Sequence, residues 1–318
     1  MNAPRDRHSN ATAHLRSVSY GPLLYRRMVG RVDGSPADGD LVRVLDRASK
    51  PFGWAFYSAA SQIALRMVSY GEAAPGESFL SERIARAVGL RRDVLRLDDV
   101  TDAYRLVHAE GDGLSGLVAD RFGEYVVLEL FSKAMFLRLG QIEDAFIDAG
   151  LTVRRFVRRA DDEIARAEGF RMGKLADAPR CVTQITENGL KFEVDLTKGH
   201  KTGFFCDQRE NRQALTHFTP GKSVLDMCCY SAGFSCYAAG PGRAADVTAV
   251  DIDETALETA RRNVKLNRAA VDVRQSDALI SCATPGATAK AGTSSCSTRP
   301  SSSPRATRWS AACGSTAT

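Results

Sequence analysis

The chain has 318 residues, of which 44% are hydrophobic and 25% are charged, as in globular proteins of roughly two or three domains. No apolar run approaches the roughly 18–20 residues that span a bilayer, and the polar first residues lack the core of a signal peptide, so we expect a cytoplasmic protein. The net charge of +5 falls to +1 without residues 281–318, which carry four cations and no acid. The chain as a whole therefore lacks a strongly basic surface for nucleic acid, while local basic patches are left open.

Short strands with the pattern of a small β-barrel are predicted between residues 40 and 70. Their runs are alternating or aromatic and recur about every ten residues, which is typical of that architecture. The predicted strands are 40–46, 51–57 and 62–68.

A helix and a second β-rich segment are predicted next. Apolar residues at helical spacing indicate a helix from Glu77 to about Arg92, and turn residues between alternating runs indicate a hairpin or meander over residues 103–131. Residues 133–168 are predicted to be mostly helical and contain a basic cluster, for which a solvated face with internal ion pairs is preferred to an RNA contact. Its members are Arg154, Arg155, Arg158 and Arg159.

Strands and helices alternate in the last predicted domain, which a hairpin with the turn ENG opens near residue 188. Such alternation is typical of a doubly wound parallel sheet. The predicted order is helix 207–217, strand 222–228, helix 233–240, strand 246–251, helix 254–267 and strand 270–274.

A ligand pocket is predicted around the motif KTGFFCDQRENR at residues 201–212. Asp207 is expected to cap the following helix, with Glu210 placed three residues later as in a capping box. An ordinary capped helix leaves the two phenylalanines before it unexplained, so we favour the rim of a pocket for a zwitterionic ligand. The residues predicted to bind it are Phe204, Asp207, Gln208, Arg209 and Arg212.

The motif VLDMCCYSAGFSCYAA, residues 224–239, predicts the second part of this pocket. A hydrophobic strand ends at Asp226, and a loop with Tyr230, Ser231 and Gly233 follows, in which the glycine permits close approach of backbone and ligand. The motif lacks the GxGxxG spelling and is a weak signal by itself.

Acidic residues at the ends of the next two strands complete the predicted pocket. Asp251 follows Gly233 by eighteen residues and is expected to bind two ribose hydroxyls. Asp253 is expected to cap the next helix, and Asp277 to accept a hydrogen bond from an adenine amino group. Each acid alone could be a helix cap or a surface residue, but the agreement of Asp226, Asp251 and Asp277 with one pattern is not expected by chance.

These motifs resemble the RlmI-like 23S rRNA cytosine-C5 methyltransferases. KTGFFCDQRENR, VLDMCCYSAGFS, VDIDETAL and QSDA carry the resemblance, which extends from about residue 40 to residue 278, while the first forty residues match poorly. It implies an α/β protein with a PUA-like RNA-binding β-barrel (1–75), a central α+β domain (76–187) and a Rossmann-like class I methyltransferase domain (188–280) that is incomplete, before a non-native or disordered tail (281–318). The loop reads CCYSAGF where the family has a YTGGF-type turn.

The resemblance also implies the chemistry. The cofactor is S-adenosyl-L-methionine and the partner is ribosomal RNA, with no membrane and with a homodimer left open. In the family, a cysteine thiolate adds to cytosine C6, which activates C5 for methyl transfer. We expect neither the family's Asp-Pro-Pro strand end nor its Ser-Cys-Ser nucleophile segment here, so no catalytic residue is assigned. Cys228 and Cys229 are not assigned as replacements, and no metal site is expected.

The composition changes abruptly near Ala278. Residues 281–318 contain no Leu, Ile, Val, Met, Phe, Asp or Glu, so we expect them to form no packed strand or helix and the parallel sheet to stop at three strands. If the reading frame is shifted by one base, residues 292–300 become compatible with WDVVVLDPP, a buried strand ending in Asp-Pro-Pro. We therefore predict a frameshift near Ala278.

Three functions remain as alternatives: a ribosomal RNA methyltransferase by descent, an inactive fragment that binds RNA or cofactor, and a dinucleotide-dependent oxidoreductase. The oxidoreductase is disfavoured because the GxGxxG motif is missing and because KTGFF and DQR, within residues 201–212, match the pattern of the methyltransferase family.

Overall fold

The computed structural model describes residues 8–172, 181–197 and 202–277, together with the backbone of residues 294–297. The described residues fall into two compact units, one within residues 1–215 and 265–268 and the other within residues 216–264 and 269–318. None of the helices in this described part is both long and apolar enough to cross a membrane.

A six-stranded sheet begins the first unit. Its strands are β1 (His8–Leu15), β2 (Leu23–Tyr25), β3 (Val29–Asp33), β4 (Leu41–Leu45), β5 (Pro51–Tyr57) and β6 (Ile63–Tyr70). They lie in the order β2-β6-β5-β4-β1-β3, with β1 parallel to β4 and the other neighbours antiparallel. Alternating side chains such as Leu24, Val42 and Leu65 form its buried core. The three predicted strands are confirmed, and three further strands precede residue 40, where none was assigned.

A four-stranded sheet with four helices follows in the first unit. Its elements are α1 (Phe79–Gly89), β7 (Ala103–His108), β8 (Leu117–Phe122), β9 (Tyr125–Leu130), α2 (Lys133–Leu137), α3 (Leu139–Asp148), β10 (Arg155–Arg159) and α4 (Asp162–Ala167). The sheet order β10-β9-β8-β7 confirms the predicted meander of β7, β8 and β9. Leu106, Leu128 and Phe146 are fully buried in its core.

The predicted helical character of residues 133–168 is wrong at β10. Residues Arg155–Arg159 pair in parallel with β9 at the edge of the sheet. In this strand Val157 is buried and Phe156 is half-buried. These two apolar side chains and the pairing with β9 stabilise the arginine-rich segment as a strand, which the sequence pattern does not reveal. Arg158 forms two hydrogen bonds of 2.6 and 2.7 Å with Glu143, which agrees with the preferred interpretation of a face with internal ion pairs.

A hairpin and a short helix complete the first unit. Strands β11 (Val182–Glu187) and β12 (Leu190–Asp195) pair along all six residues of each strand. Their turn is Asn188–Gly189, whose φ angles of 47° and 84° are the left-handed conformation expected of an Asn-Gly hairpin turn. Helix α5 (Arg209–Leu215) follows a 3₁₀ turn at Cys206–Gln208. The domain boundaries at 75 and 187 stay predictions.

The second unit contains a parallel sheet. Its elements are β13 (Ser223–Met227), α6 (Gly233–Ala239), β14 (Asp246–Asp251), α7 (Glu254–Leu266, whose last turn belongs to the first unit), β15 (Asp272–Gln275) and β16 (Ser294–Ser297). The strand order is β15-β14-β13-β16, and every neighbouring pair is parallel. The order of the strands therefore reverses at β13: β14 and β15 lie on one side of it and β16 lies on the other. The predicted elements from residue 222 to residue 274 are confirmed to within two residues.

The expectation that the sheet stops at three strands is wrong. Ser294–Ser297 pairs with β13 in parallel, with Asp226 opposite Cys296, and forms the fourth strand. Hydrogen bonds between backbones require no apolar side chain, so the composition of the segment does not prevent pairing. Residues 278–293 and 298–318, on which the rest of the tail prediction falls, lie outside the described residues.

Candidate cofactor site

Asp226 lies at the carboxyl end of β13, the strand whose two neighbours, β14 and β16, lie on its opposite sides in the sheet. Its carboxylate is 1% exposed, and Oδ2 accepts hydrogen bonds from the backbone N–H (3.1 Å) and the hydroxyl (2.6 Å) of Ser235. The other oxygen, Oδ1, is buried and has no hydrogen-bond partner. Burial raises the pKa of Asp226 to about 6, although the hydrogen bonds from Ser235 oppose this rise. A buried acceptor with free lone pairs can bind a donor from a ligand.

The loop after β13 has a strained backbone. Cys228, Tyr230 and Ala232 adopt φ angles of 60°, 49° and 58°, a left-handed conformation that residues with a side chain rarely adopt. Strain of this kind persists only where surrounding contacts over-determine it, and it clusters at functional sites. One such contact is the amide of Asn263, which donates to the backbone carbonyl of Ser231 at 3.0 Å and is fully buried. Ser231 and Gly233 are themselves buried.

Asp251 ends β14 and is tied to the same loop. Its Oδ2 accepts the backbone N–H of Tyr230 at 2.8 Å, and its Oδ1 accepts the backbone N–H of Asp253 at 3.1 Å. Asp253 in turn accepts the N–H of Thr255 at 2.9 Å, which confirms its predicted role as a helix cap. The half-buried carboxylate of Asp251 keeps further acceptor capacity, because each oxygen accepts two hydrogen bonds.

The end of β15 reaches β14 through backbone contacts. The N–H of Ser276 donates to the carbonyl of Asp251 at 3.0 Å, and the amide of Gln275 donates to the carbonyl of Ile252 at 3.1 Å. Asp277 follows and is exposed. Ile252, the residue after Asp251, is an apolar side chain that is 70% exposed to solvent. The second unit thus brings together Asp226, Tyr230, Ser231, Gly233 and Asp251 around one loop, with Asp277 after the neighbouring strand.

Sequence reasoning missed three residues of this arrangement: Ser235, Asn263 and Ile252. Ser235 and Asn263 have no motif signal, because their partners lie nine and thirty-two residues away in the chain. Ile252 stands beside the recognised Asp251, and its position immediately after a strand-end acid could have identified it.

Phe204 and Arg212, which belong to the first unit, are core residues. Arg212 donates from Nε and Nη2 to the two carboxylate oxygens of Glu187, each at 2.8 Å, and the two side chains are 3% and 0% exposed. The Phe204 ring is 3% exposed and lies between Phe192, at a centroid distance of 5.2 Å, and the Arg212 guanidinium, 4.7 Å from its centroid. These contacts explain the phenylalanine and the arginine of the motif through packing, and their role as cofactor ligands stays a prediction.

Of the predicted residues of the first motif, Phe204, Asp207 and Arg209 line a cavity of about 440 Å³ within the first unit. Arg209 donates to Glu210 Oε1 at 2.6 Å, and Asp207 is exposed. Opposite them, Asp120 is 2% exposed and binds Arg105 at 2.8 Å and the Thr202 hydroxyl at 2.5 Å. Gln208 accepts from the amide of Asn211 at 3.0 Å. Lys201, the first residue of the motif, lies outside the described residues.

Cys229, in the loop after β13, is not an activated thiolate. Cys229 is 5% exposed, and burial together with the carboxylates of Asp226 and Asp251 raises its pKa far above the ordinary value. A thiolate is the nucleophilic form, so Cys229 is unsuited to nucleophilic attack. Within the described residues, no group of three or more His, Cys, Asp and Glu side chains could hold a metal ion.

The expectation that the chain contains no Ser-Cys-Ser segment is wrong. Ser295–Ser297 spells that sequence, and the structure places its backbone in β16 beside β13. No Asp-Pro-Pro precedes it or occurs elsewhere in the sequence.

Two family models match the chain. Residues 165–277 match a model described as S-adenosylmethionine-dependent methyltransferase, and residues 17–70 match a PUA-like domain.

Curated relatives named Ribosomal RNA large subunit methyltransferase I are 36–37% identical to the chain. The protein from Vibrio parahaemolyticus is 36% identical over 250 residues, and the protein from Shewanella amazonensis is 37% identical over 252 residues. Each alignment covers 77% of this chain and 62% of the relative. The chain therefore spans less than two thirds of the length of these relatives.

Two solved structures share the fold. A Streptococcus mutans protein assigned to the SAM-dependent methyltransferases superposes with a TM-score of 0.66 at 22% identity, covering 85% of this chain and 71% of that one. The protein SMU.776, solved in complex with SAH, gives a TM-score of 0.67 at 22% identity, covering 85% of this chain and 70% of that one.

Proposed function

We propose that this chain binds S-adenosyl-L-methionine through its second unit and ribosomal RNA through its first, because residues 165–277 match the model of S-adenosylmethionine-dependent methyltransferases and residues 17–70 match that of a PUA-like domain. The name of the curated relatives supports large-subunit ribosomal RNA as the substrate. The motif resemblance, and not these relatives, adds cytosine C5 as the methyl acceptor of the intact enzyme. We extend the proposal to a cytoplasmic location.

The observation that carries the cofactor assignment is the unpaired Oδ1 of Asp226. A ligand with an ammonium group satisfies this buried acceptor and also compensates the negative charge, which an uncharged donor does not. Open parallel sheets bind ligands beyond the carboxyl ends of their strands, where the connection changes direction, and β13 is that strand. The residues of the second unit therefore fit an amino-acid cofactor.

The other residues around the loop then have separate tasks. Asp251 retains acceptor capacity for two ribose hydroxyls, and Ile252 provides an exposed apolar surface that an adenine ring can cover. Asp277 is the proposed acceptor for the adenine amino group. The bound cofactor supplies an electrophilic methyl group, while Asp226 and Asp251 orient it. None of these residues attacks the base.

We further propose that the chain lacks the groups that activate the base. No Asp-Pro-Pro is present, and Cys229 has a raised pKa that keeps it protonated. The backbone of β16 supports the frameshift hypothesis, because it forms a strand within residues 292–300, where the shifted frame encodes one. Sequencing the locus tests the hypothesis directly: a shifted frame without Asp-Pro-Pro codons contradicts it.

A methyl-transfer assay tests the proposed function. We expect this 318-residue chain to transfer no labelled methyl group from S-adenosylmethionine to unmodified large-subunit RNA. A second chain, in which one base is corrected after the codon for Ala278, should transfer it. Methyl transfer by the 318-residue chain contradicts the proposal that this chain lacks the groups that activate the base. A corrected chain that binds the cofactor but transfers no methyl group contradicts the assignment of ribosomal RNA as the substrate.

A further inference from the structure

Three aromatic rings pack together at the surface of the six-stranded sheet. Tyr20, which lies between β1 and β2, is 5.6 Å from Phe52 and 6.4 Å from Tyr70, and the last two rings are 5.6 Å apart, all between centroids. We refer to Tyr20, Phe52 and Tyr70 as the aromatic cluster. Tyr20 is 81% exposed and Tyr70 is 47% exposed, so the cluster presents an apolar ring surface to solvent while Phe52 supports it from below.

Hydrogen bonds connect the segments that carry the aromatic cluster. The Tyr70 hydroxyl donates to the backbone carbonyl of Tyr20 at 2.8 Å, and the N–H of Gly71 donates to the carbonyl of Phe52 at 3.0 Å. The ladder between β5 and β6 places Gly53 opposite Tyr70. Because the Tyr70 ring is held through its hydroxyl and Phe52 is buried, stacking on this cluster loses little entropy of these two side chains.

Positive charge accompanies the cluster at this end of the sheet. β1 and β4 end there, with His14 opposite Leu45, and β5 begins there, with Leu45 opposite Pro51. The adjoining connections carry three exposed cations, which are Arg16, Arg47 and Lys50.

Three acids lie in the same region. The carboxylate of Asp46 accepts backbone N–H groups from Ala48 and Lys50, both at 2.8 Å. Glu72 lies 3.7 Å from Arg43, and Asp33 lies 2.8 Å from His14 and 3.1 Å from Arg31. Each of the three acids thus has a local partner.

We propose that the aromatic cluster is a stacking platform for an unpaired base of single-stranded RNA, whose neighbouring phosphates are attracted by Arg16, Arg47 and Lys50. Aromatic rings stack on any nucleobase, and unpaired bases are the part of RNA that proteins reach most readily. This inference rests on the RNA partner of the proposed function and adds a specific surface to it.

Titration of a labelled, mixed-sequence single-stranded RNA into the full chain, followed by fluorescence anisotropy, tests the platform. We expect Tyr20→Ala and Tyr70→Ala each to weaken binding by about tenfold, whereas Tyr20→Phe retains the affinity. Tyr25→Ala is the matched control. Tyr25 is 44% exposed but pairs with Ile63, at the opposite end of β6, so its loss should leave the affinity unchanged.

Salt dependence tests the electrostatic part. The double variant Arg47→Glu, Lys50→Glu should reduce the magnitude of the slope of log affinity against log salt by about 1.4. Arg86→Glu, on the exposed surface of α1, should not change this slope. If the wild-type chain binds RNA and the Tyr20→Ala and Tyr70→Ala variants bind it with unaltered affinity, the stacking platform is contradicted, while the RNA partner of the proposed function is not. Equal affinity of the wild-type chain for duplex and single-stranded RNA also overturns it. A wild-type chain without affinity for RNA contradicts the RNA partner itself, while cofactor binding remains a separate measurement.

Discussion

Replacing Arg212 by methionine is expected to lower the free energy of unfolding by about 3–5 kcal/mol, because it leaves the carboxylate of Glu187 buried without its partner. Glu187 is fully buried and Arg212 is 2% exposed, so water cannot replace the lost hydrogen bonds. The variant also removes the two hydrogen bonds of 3.1 Å to the carbonyl of Phe205 and the cation above the Phe204 ring. The Arg212 side chain connects α5 to the hairpin β11–β12. We therefore expect its replacement to disturb the conformation of the motif KTGFFCDQRENR at residues 201–212.

Urea unfolding followed by circular dichroism measures this effect. The double variant Glu187→Leu, Arg212→Met should recover most of the lost stability, because it removes both charges from the interior. Arg96→Met is the control: Arg96 pairs with Asp99 at the surface, and its loss should cost about 0.5 kcal/mol or less. A single Arg212→Met variant within 1 kcal/mol of the wild type contradicts a structural role for this pair.

Replacing Asp226 by asparagine should make the stability of the chain less dependent on pH. Burial raises the pKa of Asp226 from 3.8 to about 6, so the folded state holds the proton more tightly than the unfolded state does. Stability contributed by this group is therefore complete below pH 3.8 and is lost as the pH rises through 6. Between pH 5 and pH 7.5, the free energy of unfolding should fall by roughly 1–2 kcal/mol in the wild type and show no such fall in Asp226→Asn.

Cofactor binding should show the opposite dependence on pH. Because the proposed partner of Oδ1 is an ammonium group, the carboxylate must be ionised, and the affinity of the wild type should decrease about tenfold between pH 7 and pH 5. Asp226→Asn should bind roughly 10- to 100-fold more weakly at pH 7, as expected for loss of a hydrogen bond between charged groups. Equal affinity of the two chains at pH 7 contradicts a direct contact between Asp226 and the ligand.

The alternating strands and helices of the last domain are predictable because their signals are local. Strands β13 and β14 are short runs rich in apolar residues, and α7 begins beside the capping residue Asp253. The strand Arg155–Arg159 is not predictable in this way, because only its pairing with β9 offsets three arginines among five residues. The same limit applies to β16, where backbone pairing outweighs an unfavourable composition.

The candidate site divides in the same manner. Asp251 and Gly233 are identified by their spacing from a strand end, which is a property of the chain alone. The role of Arg212 depends on Glu187, twenty-five residues earlier on another element, and no periodicity relates the two. The unpaired oxygen of Asp226 is likewise a result of three-dimensional packing, because its exposure and the position of Ser235 decide it.

Calorimetric titration of S-adenosylmethionine and of NAD into the 318-residue chain measures whether the chain binds the methyl donor. We expect saturable binding of S-adenosylmethionine with one site per chain, a marked loss of affinity in Asp251→Ala, and no comparable binding of NAD. Tighter binding of NAD than of S-adenosylmethionine, or no heat from S-adenosylmethionine in a chain that is folded by circular dichroism, would contradict this expectation.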